Sequence, residues 1–185
     1  MSSDGKSQGL QEELVLTSIA RDRSGLVERL ASVVAEHSGN WIDSSRARLA
    51  GEFAGILKIS VPSASVAPLE AALAALSSEG IEVTLRKAEA ARPPRPERQA
   101  RLELTGLDHP GIVLDVTRAL AEAGVSISEL QTEVFAGSMG GEAMFQANAD
   151  LFVPEGLDLE QLRATLEELA GDIMVDVELE KPQSA

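Results

Sequence analysis

The sequence predicts an α+β protein in which one small βαββαβ unit is written twice. Three observations carry that prediction. The stretch Ala20-Arg21-Asp22-Arg23-Ser24-Gly25-Leu26-Val27 returns as Gly106-Leu107-Asp108-His109-Pro110-Gly111-Ile112-Val113, with the Asp and the Gly both displaced by 86 positions. Each copy follows a short apolar, strand-favouring run and opens an amphipathic helical stripe. A segment rich in Pro and Arg lies between the copies. The expected organisation is a first domain at 12–88, a linker at 89–100 and a second domain at 101–181. Domains this small have thin cores, so a contact with the twin unit or with a second copy of the chain is expected to add stability.

In order, residues 1 to about 11 are polar and Gly/Ser-rich, a loose leader. Leu14 to Ala20 is the first strand. Leu26, Leu30, Val33, Val34 and His37 then fall at helical spacing, and Gly39 is the expected stop, adopting a left-handed conformation at no side-chain cost. Asn40-Trp41-Ile42 leads into a second strand running through Leu49. A turn at Gly51-Glu52 joins it to a third strand, Phe53 to Val61, closed by Pro62. Leu69, Leu73 and Leu76 mark a second helix, with Pro68 tolerated in its first turn. Ile81, Val83 and Leu85 alternate with Glu82, Thr84 and Arg86 as a half-buried fourth strand.

The second unit repeats the order. Leu102 and Leu104 build its first strand, and Ile112, Val116, Ala119, Leu120 and Ala123 form its first helical stripe. Gly124-Val125-Ser126-Ile127 answers Gly39-Asn40-Trp41-Ile42, Phe145 to Pro154 answers Phe53 to Pro62, and Leu159-Glu160 answers Leu69-Glu70. Ile173-Met174-Val175 answers Ile81-Glu82-Val83. Measured between the Gly after the helix and the Pro after the third strand, the second unit has seven extra residues, placed around Ala136–Glu142 as a longer hairpin tip. Two β-α-β arms of this kind predict a four-stranded antiparallel sheet with both helices on one face, the ferredoxin-like arrangement, with the hairpin strand pairing at the edge.

Composition limits the function. The formal net charge is −14 and aromatic residues make up 3 % of the chain. That field repels phosphate backbones, and so few rings build no base-stacking platform, which argues against direct nucleic-acid binding. The chain has no Cys and two His, so disulfides and thiol chemistry are excluded. No Gly-x-Ser-x-Gly elbow, metal-ligand spacing or phosphate loop occurs, so no catalytic residue, metal or cofactor is expected and the chain is read as a non-enzyme. The N-terminus lacks the apolar core of a signal peptide and no apolar run is long enough to span a bilayer, so a cytoplasmic location without membrane contact is expected. The linker arginines, Arg92, Arg95 and Arg98, stand beside Pro93, Pro94 and Pro96. They are read as a stiff solvated connection, or else as a docking strip for an acidic partner.

The Asp-x-x-Gly-Ile/Leu-Val turns opening each first helix, followed by Gly-x-x-Ile before the second strand, resemble an ACT domain. Two in tandem resemble the glycine cleavage system transcriptional repressor family. The stretch Gly-Asn-Trp-Ile-Asp-Ser-Ser-Arg-Ala-Arg-Leu-Ala-Gly-Glu-Phe-Ala-Gly at 39–55 and the Arg-Pro-Pro-Arg-Pro at 92–96 carry that second likeness. It spans residues 12–181. It implies a regulatory protein that senses a small amino acid, glycine or similar, and acts through a regulatory protein partner without touching DNA. A homodimer is also implied. The alternative is an ACT-type dimerisation or interaction module without a ligand.

The candidate ligand site is Asp22, Ser24, Gly25 and Asn40 in the first unit, and Asp108, His109, Gly111 and Ser126 in the second. Gly25 and Gly111 let a ligand approach the backbone, and free N–H groups at a helix start favour its carboxylate. Asp22 or Asp108 can answer its ammonium, with Asn40 or Ser126 adding a polar contact from the start of the second strand. The competing structural reading makes Asp22, Ser24 and Asp108 helix caps, with Pro110 in a first turn. Trp41 is read as core or interface and His37 as a helix-end residue. Arg46 and Arg48 share one sheet face, as exposed charge or as partners of Glu52 or of another chain.

Overall fold

The computed structural model describes residues 10–89, 97–137, 141–169 and 174–179. The chain divides into two compact units, Met1–Ala90 and Ala91–Ala185. The first contains β1 (Gln11–Arg21), α1 (Leu26–Glu36), β2 (Asn40–Leu49), β3 (Glu52–Pro62), α2 (Val66–Ala75) and β4 (Ile81–Lys87). The second contains β5 (Glu97–Leu107), α3 (Ile112–Glu122), β6 (Ser126–Ala136), β7 (Ala143–Pro154), α4 (Leu159–Leu169) and β8 (Met174–Leu179). The βαββαβ order is thus present twice.

Each sheet has four strands, in the orders β2-β3-β1-β4 and β6-β7-β5-β8, and every pairing is antiparallel. The hairpin strand does not sit at the edge, as expected, but between the two strands that the first helix connects. The crossover leaves a gap one strand wide, and β3 or β7 fills it with a hydrogen-bonded partner on both sides.

Strand periodicity of two sorts each sheet into a covered and an open face. Leu14, Leu16 and Ala20 of β1 are buried while Thr17 and Ile19 are exposed. The helical stripes meet the covered faces as read: Leu26, Leu30, Val33 and Val34 on α1, and Ile112, Val116, Ala119 and Leu120 on α3. Each unit has its own core cluster. The apolar area removed from water supplies the driving force, at about 25 cal/mol per Å².

Several local expectations change. The left-handed residue after α1 is Ser38, φ 59°, and in the second unit Gly124, φ 74°. Gly39 serves a different end, because a Cβ there would lie 2.7 Å from Val34 Cγ1 and 2.9 Å from the Val34 carbonyl oxygen. Gly39 N–H donates to that oxygen as Val125 N–H does to Leu120, so Gly39 answers Val125 and not Gly124. Asn40 therefore answers Ser126, and Trp41 answers Ile127. Both second strands confirm it with a register shift just after, at Trp41/Asp43 and Ile127/Glu129.

The β2–β3 turn is Ala50-Gly51, both at positive φ, with Leu49 facing Glu52. Two left-handed residues match the twist of the flanking strands. Ala136 faces Ala143, so six residues, 137–142, separate the two strands, and 138–140 of the expected tip lie outside the described residues. With the corrected register the whole excess is six, four in the tip and one in each longer strand. In α4 the buried leucines are Leu162 and Leu166, so they, and not Leu159, answer Leu69 and Leu73. Strand β5 starts at Glu97 and faces Pro154, which removes residues 97–100 from the expected linker. Arg98 belongs to that strand and donates to the Leu157 carbonyl (3.1 Å). Arg92 to Pro96 and the N-terminal leader before Leu10 lie outside the described residues.

Candidate functional site

Both repeated turns have the same construction. Gly25, φ 89°, and Gly111, φ 100°, are the N-cap residues of α1 and α3, and neither helix start receives a side-chain cap bond. Left-handed φ explains the glycines, since a Cβ costs roughly 1–2 kcal/mol there. A Cβ at Gly25 would meet nothing within 4 Å, so the space before it is open. The expected capping by Asp22, Ser24 and Asp108 does not occur. The aspartates instead continue the strand ladder: Asp22 N–H donates to Gly51 O and Asp108 N–H to Ala143 O, both at 2.9 Å. That places each Asp three residues ahead of the cap glycine, beside the hairpin tip. Pro110 precedes the cap residue, outside the first helical turn. Each helix start therefore leaves its first N–H groups without a side-chain acceptor, the arrangement that receives an anion.

The first turn is ringed by arginine. Arg48 Nε pairs with Asp22 Oδ1 at 3.1 Å, joining β2 to the turn; Glu52, the expected partner, is not the one used. Arg29 grips Glu79 in a forked contact, with Nη2 to Oε1 at 2.7 Å and Nε to Oε2 at 3.0 Å. Arg23 Nη2 donates to the Glu79 carbonyl at 2.9 Å. The hydrogen bond from Arg29 holds the Glu79 carboxyl below its ordinary range, and Glu79 raises Arg29 in return. Charge-assisted forked pairs fix geometry as well as charge. In the second unit the positions equivalent to Arg23, Arg29 and Arg48 are His109, Asp115 and Val134. His109 Nδ1 lies 3.3 Å from the Pro110 carbonyl oxygen and its side chain is exposed.

Asp22, Ser24 and Gly25 are brought together, as are Asp108, His109 and Gly111. Asn40 and Ser126 do not join them within their own units. Asn40 faces Ser60, which faces Glu13 at the start of β1. Asp22 lies nine residues further along that strand, roughly 30 Å away at about 3.3 Å per residue. Ser126 faces Phe152, which faces Gln99, while Asp108 lies beyond the other end of β5. A spacing argument cannot see this, because it lacks the direction in which β2 runs past the turn.

Trp41 is half-buried and packs against the first core. His37 Nδ1 lies 2.8 Å from Val33 O, a helix-end contact. The open sheet faces differ between the units. In the first, Val15, Thr17, Ile19, Ala54 and Ile56 make a largely apolar surface, with Ile19 56 % and Ile56 50 % exposed. In the second, the corresponding area is a shallow dish lined by Arg101, Glu103, Glu129, Gln131, Asn148 and Asp150. Among the described residues no group of His, Asp and Glu is arranged to hold a metal ion, and no helix is long and apolar enough to cross a membrane.

The family model described as ACT domain matches residues 12–85 and 101–180. A crystal structure of a protein of unknown function from Galdieria sulphuraria is similar over 93 % of this chain and 100 % of its own, at 27 % identity and a TM-score of 0.77. A second, named as a candidate glycine cleavage system transcriptional repressor, is similar over 94 % of this chain and 99 % of its own. Its identity is 20 % and its TM-score 0.69, a likeness of fold. No curated protein sequence matches.

Proposed function

The chain belongs to the ACT domain family, with two such domains in tandem, and from that premise we propose that it is a non-enzymatic regulatory protein that senses a small amino acid. One observation carries the proposal. A left-handed glycine opens an uncapped helix beside an Asp, and the same turn stands in both units. Backbone N–H groups suit the ligand carboxylate, the Asp suits its ammonium, and the glycine keeps the approach clear. Asp22, Ser24 and Gly25 form one such site, and Asp108, His109 and Gly111 the other. Asn40 and Ser126 lie outside both sites. The fold likeness to a candidate glycine cleavage repressor favours glycine or a similar amino acid as ligand. It also favours transcriptional control, which we propose is exerted through a partner protein, in the cytoplasm, by a homodimer. The charge of −14 supports a route that avoids direct DNA contact.

Thermal-shift measurement against the common amino acids tests this. Saturation at about a hundred times the dissociation constant adds about 2.7 kcal/mol, enough to read as a shift in Tm. The shift should fall in Asp22→Ala and Asp108→Ala, and absence of a shift with every amino acid removes the sensor function.

The exposed Ile19 and Ile56 favour a second reading, an ACT-type interaction module without a ligand. It expects a dimer whose mass is unchanged by amino acids and by both Asp substitutions.

A further inference from the structure

The open faces of the two sheets follow one plan with different chemistry. In the first unit the rows across β4, β1, β3 and β2 are Arg86-Val15-Lys58-Asp43, Thr84-Thr17-Ile56-Ser45 and Glu82-Ile19-Ala54-Ala47. A shorter fourth row, Arg21-Glu52-Leu49, lies at the end of β1. In the second unit Thr105 stands for Ile19, Asn148 for Ile56, Gln146 for Ala54 and Glu133 for Ala47. The centre of the first face is therefore apolar where that of the second is polar. Half or more of the Ile19 and Ile56 side chains meets water, and a contiguous apolar patch of this kind marks a contact surface.

Charge, shape and area together select what covers it. The charged residues of the face nearly cancel, Arg21, Lys58 and Arg86 against Glu13, Asp43, Glu52 and Glu82, on a chain whose net charge is −14. Two acidic chains meet with least repulsion where each is locally neutral. Ile19 and Ile56 flank a shallow hollow floored by the small side chains of Ser45, Ala47 and Ala54, so the face carries both projections and the space to receive them. Four strands about 4.8 Å apart and four rows about 6.8 Å apart give roughly 500 Å² per copy. Doubled, that is about 1,000 Å², the lower bound for a specific contact.

We infer that this face binds the same face of a second copy, about a two-fold axis running along the strands between β1 and β3. The inference rests on the homodimer proposed above and names its surface and register. That axis exchanges β1 with β3 and β4 with β2, and two sheets stacked face to face keep their strands within about 30° of one another. Ile19 then lies over Ala54 of the second copy, Thr17 over Ile56, Arg21 over Glu52 and Arg86 over Asp43, each contact made twice. Among the described residues Arg21, Arg86 and Glu52 form no ion pair, so these charges are available. Lys58, over Val15, is already neutralised by Glu13 at 2.7 Å. Only Glu82 meets no opposite charge, and it stands on the edge strand β4, at the rim. The same operation on the second unit sets Thr105 over Gln146 and Glu103 over Asn148, a polar contact with nothing to drive it.

Sedimentation velocity of the full chain over a dilution series from about 100 µM to about 1 µM tests it, since so small an interface gives a reversible dimer in the micromolar range. Ile19→Lys and Ile56→Lys should each leave a folded monomer across the series, both positions being exposed. Thr105→Lys, the same change on the second face, should leave the dimer intact. Arg86→Glu and Asp43→Arg should each weaken it several-fold, and the double variant should recover most of the loss. Arg86 and Asp43 stand on opposite edge strands, about 14 Å apart at about 4.8 Å per strand, so recovery arises only between copies. A dimer unmoved by both lysine variants, or a double variant no tighter than the single ones, overturns the inference while leaving the homodimer standing. A chain that stays monomeric at about 100 µM overturns both.

Discussion

Ser38 and Gly124 do the same work after the first helix of each unit, and only one of them is suited to it. Both hold a left-handed conformation, φ 59° and 74°, yet only the glycine does so without strain. Ser38→Gly is therefore expected to stabilise the protein by about 0.5–1 kcal/mol, the relieved strain less the extra freedom glycine has when unfolded. Chemical denaturation reads this directly, and a lower midpoint for the variant would contradict it. At Gly39 the requirement is space beside Val34. The helix stop was legible in the sequence, but which residue takes the left-handed turn was not, because Ser, Gly and Asn follow one another there. At the site, the Asp-x-x-Gly spacing was legible and the role of each Asp was not. A capping bond and a ladder bond ask for the same residue type, and the choice between them depends on where the hairpin tip lies.

At the scale of elements, ion pairs tie pieces that are remote in sequence. Arg29 and Arg23 hold the end of the turn before β4 against the start of the first helix, through Glu79. Glu12 of β1 pairs with Lys87 of β4 at 2.8 Å, and the hydrogen bond from Lys87 lowers the Glu12 carboxyl below its ordinary range. Both carboxyls have folded pKa values below their unfolded ones. Their contribution is therefore present above the unfolded carboxylate range and is lost as pH falls through the folded values. The gap in Tm between wild type and Glu79→Gln should be widest near pH 7 and close as the pH falls below about 4. A gap that widens on acidification would refute the assignment. The helices and strands themselves were readable, since buried Leu26, Leu30, Val33 and Val34 follow a 3.6-residue period and Leu14, Leu16 and Ala20 a period of two. The position of β3 between β1 and β2 was not, because strand order depends on which gap a hairpin can fill.

For the whole molecule, charge is the dominant bias. With 30 acidic against 16 basic residues, like-charge repulsion opposes the folded state and screening should relieve it. Raising NaCl from about 10 mM to about 300 mM, where the Debye length falls well below 10 Å, should raise Tm. A falling Tm would show that the specific pairs outweigh the general field. The repeat makes the molecule a comparison within itself, one βαββαβ plan carrying two chemistries. The first unit has an arginine-ringed turn and an apolar open face, and the described residues of the second show neither.

By itself the sequence determined the repeat, the element types, the two core stripes and the turn at each helix start. These depend on periodicity and on residue types close together along the chain, and both are written locally. Only the tertiary structure decided that Asn40 and Ser126 lie far from their own turns and that Arg48 answers Asp22. It alone revealed that Arg86 and Asp43, on opposite edges of the first sheet, share a row. Those facts depend on strand register and on which face a residue takes, and no local pattern specifies either until the sheet has formed.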